Sequence, residues 1–108
     1  MEVIIDMNLS KLVADLKASP NFKMPNPEQA LLFLTSEVGE AADALSSTWN
    51  GYVRSEEHNA LCQPEVRLKV AAELADVVIM ASVAMAALGV NPDEALQKKF
   101  TELVERFS

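Results

Sequence analysis

Residues 70–90, VAAELADVVIMASVAMAALGV, leave this chain few ways to fold. The uninterrupted apolar run, Val77 to Val90 with Ser82 inside it, is fourteen residues long. That is short of the about 20 residues a bilayer crossing needs, and Glu73 and Asp76 at its entrance would each cost about 2.5–3.5 kcal/mol at a bilayer centre. A core helix of a soluble protein fits better. Beyond Val70 the helix is apolar nearly all round, which predicts that it is surrounded. Three short neighbours cannot cover it in a chain of 108 residues, so the expectation is a homodimer or homotetramer, with a compact monomer as the alternative.

The remaining chain supplies those neighbours. Leu9, Leu12, Val13 and Leu16 follow the i, i+3, i+4, i+7 spacing of an amphipathic helix that starts near Asn8 and stops before Pro20. The three prolines of SPNFKMPNP forbid regular structure, and the loop ends in Asn26, Pro27 and Gln29, a capping box with proline at the first helical position. A second helix then runs to about Thr48, with Leu31, Leu34, Val38, Ala41, Ala42 and Leu45 as its apolar stripe. Asn50-Gly51 signals a turn, and the segment after it has no clear period. Pro64 opens the third helix and Gly89 is placed to close it. Asn91, Pro92, Asp93 and Glu94 repeat the capping pattern before a last helix bearing Leu96, Phe100, Leu103, Val104 and Phe107. The expected fold is all-α, a four-helix bundle with long central helices, forming a single domain over residues 1–108.

Charge narrows the partners. Sixteen acids against nine Lys and Arg give a net charge of −7, and the bases form no run, so neither a nucleic-acid groove nor an anionic membrane surface is expected. A phosphate-bearing ligand would need a cation to accompany it. The single cysteine, Cys62, excludes an intrachain disulfide framework, and no leader pattern opens the sequence, so a cytoplasmic location is expected.

Two acidic pairs stand out against this background. Glu37 and Glu40 lie three apart in TSEVGEAADAL, where the positions four residues on hold Ala41 and Ala44 instead of a relieving base. Glu73 and Asp76 repeat the spacing where the third helix turns wholly apolar. Ionised carboxylates beside a core are normally paired or metal-bound. If the second and third helices are antiparallel neighbours, the four acids meet across their groove, and a multivalent cation or protonation must relieve the repulsion. All-oxygen ligation points to Mg²⁺ or Mn²⁺ rather than zinc. A di-iron bundle would need Glu-x-x-His on two helices, and the sole histidine, His58, falls in the connecting segment.

SEVGE followed by AELAD, in helices flanked by NPEQALLFL and GVNPDEALQKKF, resembles the MazG-type all-α NTP pyrophosphohydrolases over about residues 24–107. The resemblance implies Mg²⁺-dependent hydrolysis of a nucleoside triphosphate between its α and β phosphates, with Glu37, Glu40, Glu73 and Asp76 as metal ligands and one of them a candidate general base. Ser36 stands where many members carry another acid, and Leu103 where an asparagine is usual. Lys99, Arg106 and Lys69 are the candidate phosphate contacts, against the plainer reading of solvated helix cations. Trp49, Tyr52 and Phe33 are candidates for stacking on a base; for Phe33, core packing is the favoured alternative. Outside this family reading stand a non-catalytic helical module whose acids dock a basic partner, and a member that binds nucleotides without cleaving them.

Overall fold

The computed structural model describes residues 8–48 and 64–108, and among these every regular element is helical. Four helices follow in order: α1 (Leu9–Lys17), α2 (Pro27–Thr48), α3 (Pro64–Ala87) and α4 (Pro92–Arg106). Trp49 and Tyr52, and with them His58 and Cys62, lie outside the described residues.

The helix ends follow local chemistry. Asn8 caps α1 by accepting from the Lys11 amide. Before α2 the capping box is reciprocal: Asn26 Oδ1 accepts from the Gln29 amide at 2.8 Å, and Gln29 Oε1 accepts from the Asn26 amide at 3.1 Å. Gly89 closes α3 with φ of 77°, where a side chain would be strained. Its amide reaches Ala86 O and the Val90 amide reaches Met85 O, the paired bonds of a Schellman motif. Asn91 caps α4 through the Asp93 and Glu94 amides.

Expectation and structure part over what Asp93 does. Its carboxylate does not serve its own helix but caps the start of α1, accepting from the Leu9 amide at 2.6 Å, the Ser10 amide at 2.9 Å and the Ser10 hydroxyl at 2.7 Å. Those donors hold the Asp93 carboxyl below the usual aspartate range. The start of α4 thereby fixes the start of α1, more than eighty residues away in sequence.

Helix α2 packs chiefly along α3, while α1 rests on α3 and meets α4. The face α2 buries agrees with the stripe expected for it only at Ala41, which is buried, and Leu34, which is half-buried. Ala30 (0% exposed), Ala41 and Ala44 are buried, whereas Leu31, Val38 and Leu45 are 38–51% exposed and Ala42 is exposed too. The buried row steps 30, 34, 37, 41, 44, the alternating four-and-three spacing of a coiled-coil seam. The matching row on α3 is Val66, Val70, Glu73, Val77, Met80, Ala84 and Ala87, every one buried or half-buried. Alanine fills three of the five seam positions on α2, a residue small enough to permit close packing of two helices. Large ones set one position away project from its side.

Among the described residues the third helix is not surrounded. Burial concentrates at Ser82, Val83 and Ala84, with the Ser82 hydroxyl satisfied by Val78 O at 2.9 Å, while Leu68, Leu74 and Val78 are half-exposed or more. By length and composition alone α3 could cross a membrane: its most apolar eighteen-residue window has mean hydropathy 1.9, and 17% of it is buried. On α4, Leu96, Leu103 and Val104 are half-buried as expected of the stripe, but Phe100 borders on exposed and Phe107, past the helix end, is 82% exposed.

Candidate metal centre

Glu37 and Glu73 occupy seam positions on facing helices, so the sequence that builds the α2–α3 contact also drives two acids into it. Asp76 is one turn beyond Glu73 on the edge of the same seam. Glu37, Glu73 and Asp76 each offer a carboxylate oxygen, and these oxygens all lie within 4.8 Å of one another. Glu37 and Glu73 are half-buried and Asp76 is exposed. A site of this kind is walled by helix on one side and open to solvent on the other.

An apolar groove of about 310 Å³ joins Val38, Ala42 and Leu45 of α2 to Val70, Leu74 and Val77 of α3. The expectation that two acidic pairs meet across the groove is thus met for three of the four acids. Glu40 enters differently: it sits beside Glu37 and acts on that residue's proton affinity.

Glu37 carries the electrostatic cost of the arrangement. Its carboxyl is raised above the usual glutamate range, first by burial, then by the charges of Glu40 and Asp76, by hydrogen bonding with Glu40, and by the charge of Glu73. Its Oε2 is out of contact with water and has no hydrogen-bond partner. A buried carboxylate oxygen normally accepts a bond or a cation. Among the described residues no base acts to lower it, and the α3 cations before Glu73, Lys69 and Arg67, stand one turn or more from that residue along the helix.

The donor set fits a hard divalent cation. Among the described residues three carboxylates converge, their oxygens within 4.8 Å of one another, an all-oxygen set that could hold such an ion. The orphaned Glu37 Oε2 is the position such an ion would satisfy.

The other candidate residues fall in two groups. By helical phase Phe33 and Lys69 lie on the same side of the α2–α3 pair as Glu40 and Asp76, flanking the acids on one face. Phe33 is 50% exposed, so the core-packing alternative is wrong for it. Lys99 and Arg106 lie on α4, whose packing is with α1 and α3, and both are exposed; Lys99 Nζ is 3.5 Å from Glu102. A larger groove, about 710 Å³, runs along the polar side of α4 from Asp93 to Glu105 and contains none of the converging acids. Sequence reasoning missed no acid of the cluster, but the stripe it drew for α2 shares only Leu34 and Ala41 with the buried row in which Glu37 sits.

No family model matches the chain, and no curated protein or solved structure matches it.

Proposed function

We propose that this protein is a Mg²⁺-dependent nucleoside triphosphate pyrophosphohydrolase, cleaving a (d)NTP between the α and β phosphates to give the monophosphate and pyrophosphate. The observation that carries the reading is the convergence of Glu37, Glu73 and Asp76, with the Glu37 Oε2 buried and unpaired. The resemblance of SEVGE and AELAD to the MazG-type enzymes supplies the reaction class. Nucleotide-pool cleaning is the role such an activity would serve.

In this reading Glu37, Glu73 and Asp76 hold the cation and Glu40 completes the acidic set. Mg²⁺ or Mn²⁺, when bound, supplies neutralisation of phosphate charge and lowers the pKa of water at the site. The chain's own contribution is placement. Seam packing fixes Glu37 and Glu73, while the exposed side of Asp76 leaves room for a triphosphate to approach. Glu40, exposed and next to Glu37, is the acid best placed to take a proton from attacking water without surrendering a ligand. Lys69 on the same face is the phosphate contact nearest the acids, and Phe33 offers a half-exposed ring for a base. The four helices form a bundle that further copies complete, as a dimer or tetramer in the cytoplasm.

Incubation with a panel of dNTPs and Mg²⁺ should release pyrophosphate and not orthophosphate. Glu73→Gln should lower that release by at least about 100-fold, since losing a ligand to the ion removes several kcal/mol of transition-state stabilisation. A panel in which no pyrophosphate appears refutes the hydrolase. Nucleotide binding without turnover would then favour a binding-only relative.

A further inference from the structure

The two helices that meet at the acidic cluster are built differently around it. The two residues on either side of Glu73 are Ala71, Ala72, Leu74 and Ala75, all from the strong end of the helix-forming scale. The two on either side of Glu37 are Thr35, Ser36, Val38 and Gly39, all weaker. Packing does not compensate, because those four are exposed and only Glu37 between them reaches the seam. The weakness is local: Leu31 and Leu32 precede the stretch, and Glu40, Ala41 and Ala42 follow it. Thr35 adds to it, since its hydroxyl donates to Leu31 O at 2.9 Å, a back-bond of the kind that slightly destabilises and bends helices. Gly39 lies inside a helix of 22 residues and has no left-handed backbone, so its conformation asks for no glycine. A step of two residues from Glu37, about 200°, turns it to the side of α2 away from α3. A Cβ added there would meet nothing within 4 Å among the described residues, so no close approach asks for glycine either. What Gly39 does to α2 is therefore done through the backbone, where it is destabilising relative to alanine.

We infer that residues 35–39 form a compliant stretch that lets Glu37 settle onto the cation, while Glu73 and Asp76 on the stiff α3 limb stay in place. The inference deepens the metal-centre reading given above and rests on it, though not on the hydrolase chemistry. Seam packing decides which way Glu37 points, and the backbone beneath it decides how far its carboxylate can advance. Of the three converging acids, Glu37 is the one whose bonding is incomplete. Its Oε2 is, among the described residues, the one buried side-chain polar atom left without a partner. A ligand that must exchange one arrangement for another when the ion arrives needs a backbone that yields. Ligands already in place do not. The weak helix formers around Glu37 and the strong ones around Glu73 follow that division. Gly39 is thus a positioning residue: it faces away from the acids and acts on the ion through Glu37.

Thermal melting and Mn²⁺ binding by the whole protein, the latter read from the loss of the free-ion EPR signal, test this together. Gly39→Ala should raise the Tm of the metal-free protein by about 4–8 °C, because the added methyl meets nothing and alanine favours the helix. The same free energy opposes the change the ion requires, so Mn²⁺ affinity should fall about fivefold. Thr35→Ala, which removes the back-bond at an exposed position, should act in the same direction, and the two together should weaken binding more than either alone. Amide exchange supplies a readout that a merely structural glycine would not move. Without metal, the amides of residues 35–40 should exchange faster than those of 71–76; Mg²⁺ should slow the first set and leave the second unchanged. A Gly39→Ala protein that is stabilised yet binds Mn²⁺ as the wild type does overturns the inference, as does equal exchange in the two stretches. A destabilised Gly39→Ala protein assigns the glycine to a close approach by another surface and overturns it as well. A wild type that takes up no Mn²⁺ removes the metal centre and this inference with it. Ion uptake with the expected Gly39→Ala loss but no pyrophosphate release upholds the inference and refutes only the hydrolase.

Discussion

Two acids in this protein have opposite surroundings. Asp93 accepts from two amides and a hydroxyl at the start of α1, and its carboxyl is held below the ordinary range. Glu37 lies in a seam with three other acids around it and one oxygen unpaired, and its carboxyl is pushed up. Both are part-buried side chains on helices. What separates them is supply: one has donors for its charge and the other has only competitors. The first is a structural fastener, complete as it stands. The second is incomplete until a proton or a cation arrives, which is why the α2–α3 cluster and not the α1–α4 corner is the candidate centre.

The largest effect should come from supplying what Glu37 lacks. Mg²⁺ or Mn²⁺ at about a hundred times its dissociation constant should raise Tm by about 10 °C or more, and Glu37→Gln should remove most of that response. A melting curve indifferent to divalent ions in the wild type would place the cluster with solvated acids and favour the docking-module alternative. Next in size is the fastener. Asp93→Ala should lower Tm by about 5–10 °C, as loss of a helix cap does in a domain of this size, while leaving the divalent shift unchanged. Should the metal response disappear with Asp93, the two regions are coupled and the contrast between them breaks down.

The smallest effect is the pH dependence, where the two acids have opposite signs. Asp93 is depressed from 3.8, so its contribution is present above that value and is lost as pH falls through its lower folded pKa. Glu37 is raised from 4.5, so the folded state takes up its proton first; its unfavourable contribution is present at neutral pH and disappears as pH falls towards 4.5. Metal-free protein should therefore gain stability on mild acidification, and Glu37→Gln should flatten that gain. Asp93→Asn should flatten only the loss below 3.8. Denaturant titrations at a series of pH values would show whether the two slopes separate by residue.

Much of this was legible from residues alone. The four helices, the capping box at Asn26 and Gln29, the Asn91 cap and the Gly89 stop are local signals, each settled within one turn of chain, and the structure carries them as read. The acids were legible because charge is conspicuous at the edge of an apolar run. The buried face of α2 was not. Hydropathy favours a stripe that adds Leu31, Val38, Ala42 and Leu45 to Leu34 and Ala41, but the buried row runs through Ala30, Leu34, Glu37, Ala41 and Ala44, and only the partner helix decides between stripes one residue apart. The reach of Asp93 to Leu9 and Ser10 had no local signal either, since it spans more than eighty residues.

The sequence by itself determined that the chain is helical, where its helices begin and end, and that two acidic pairs border its most apolar segment. Propensity, capping and turn chemistry act over a few residues, so they can be read in order along the chain. Only the tertiary structure decided that Glu37 sits inside the α2–α3 seam, that Glu73 and Asp76 converge on it, and that the larger apolar side chains are left facing outward. Helix rotation and register are properties of a pair, fixed by how closely two backbones can approach, and no single helix contains that information.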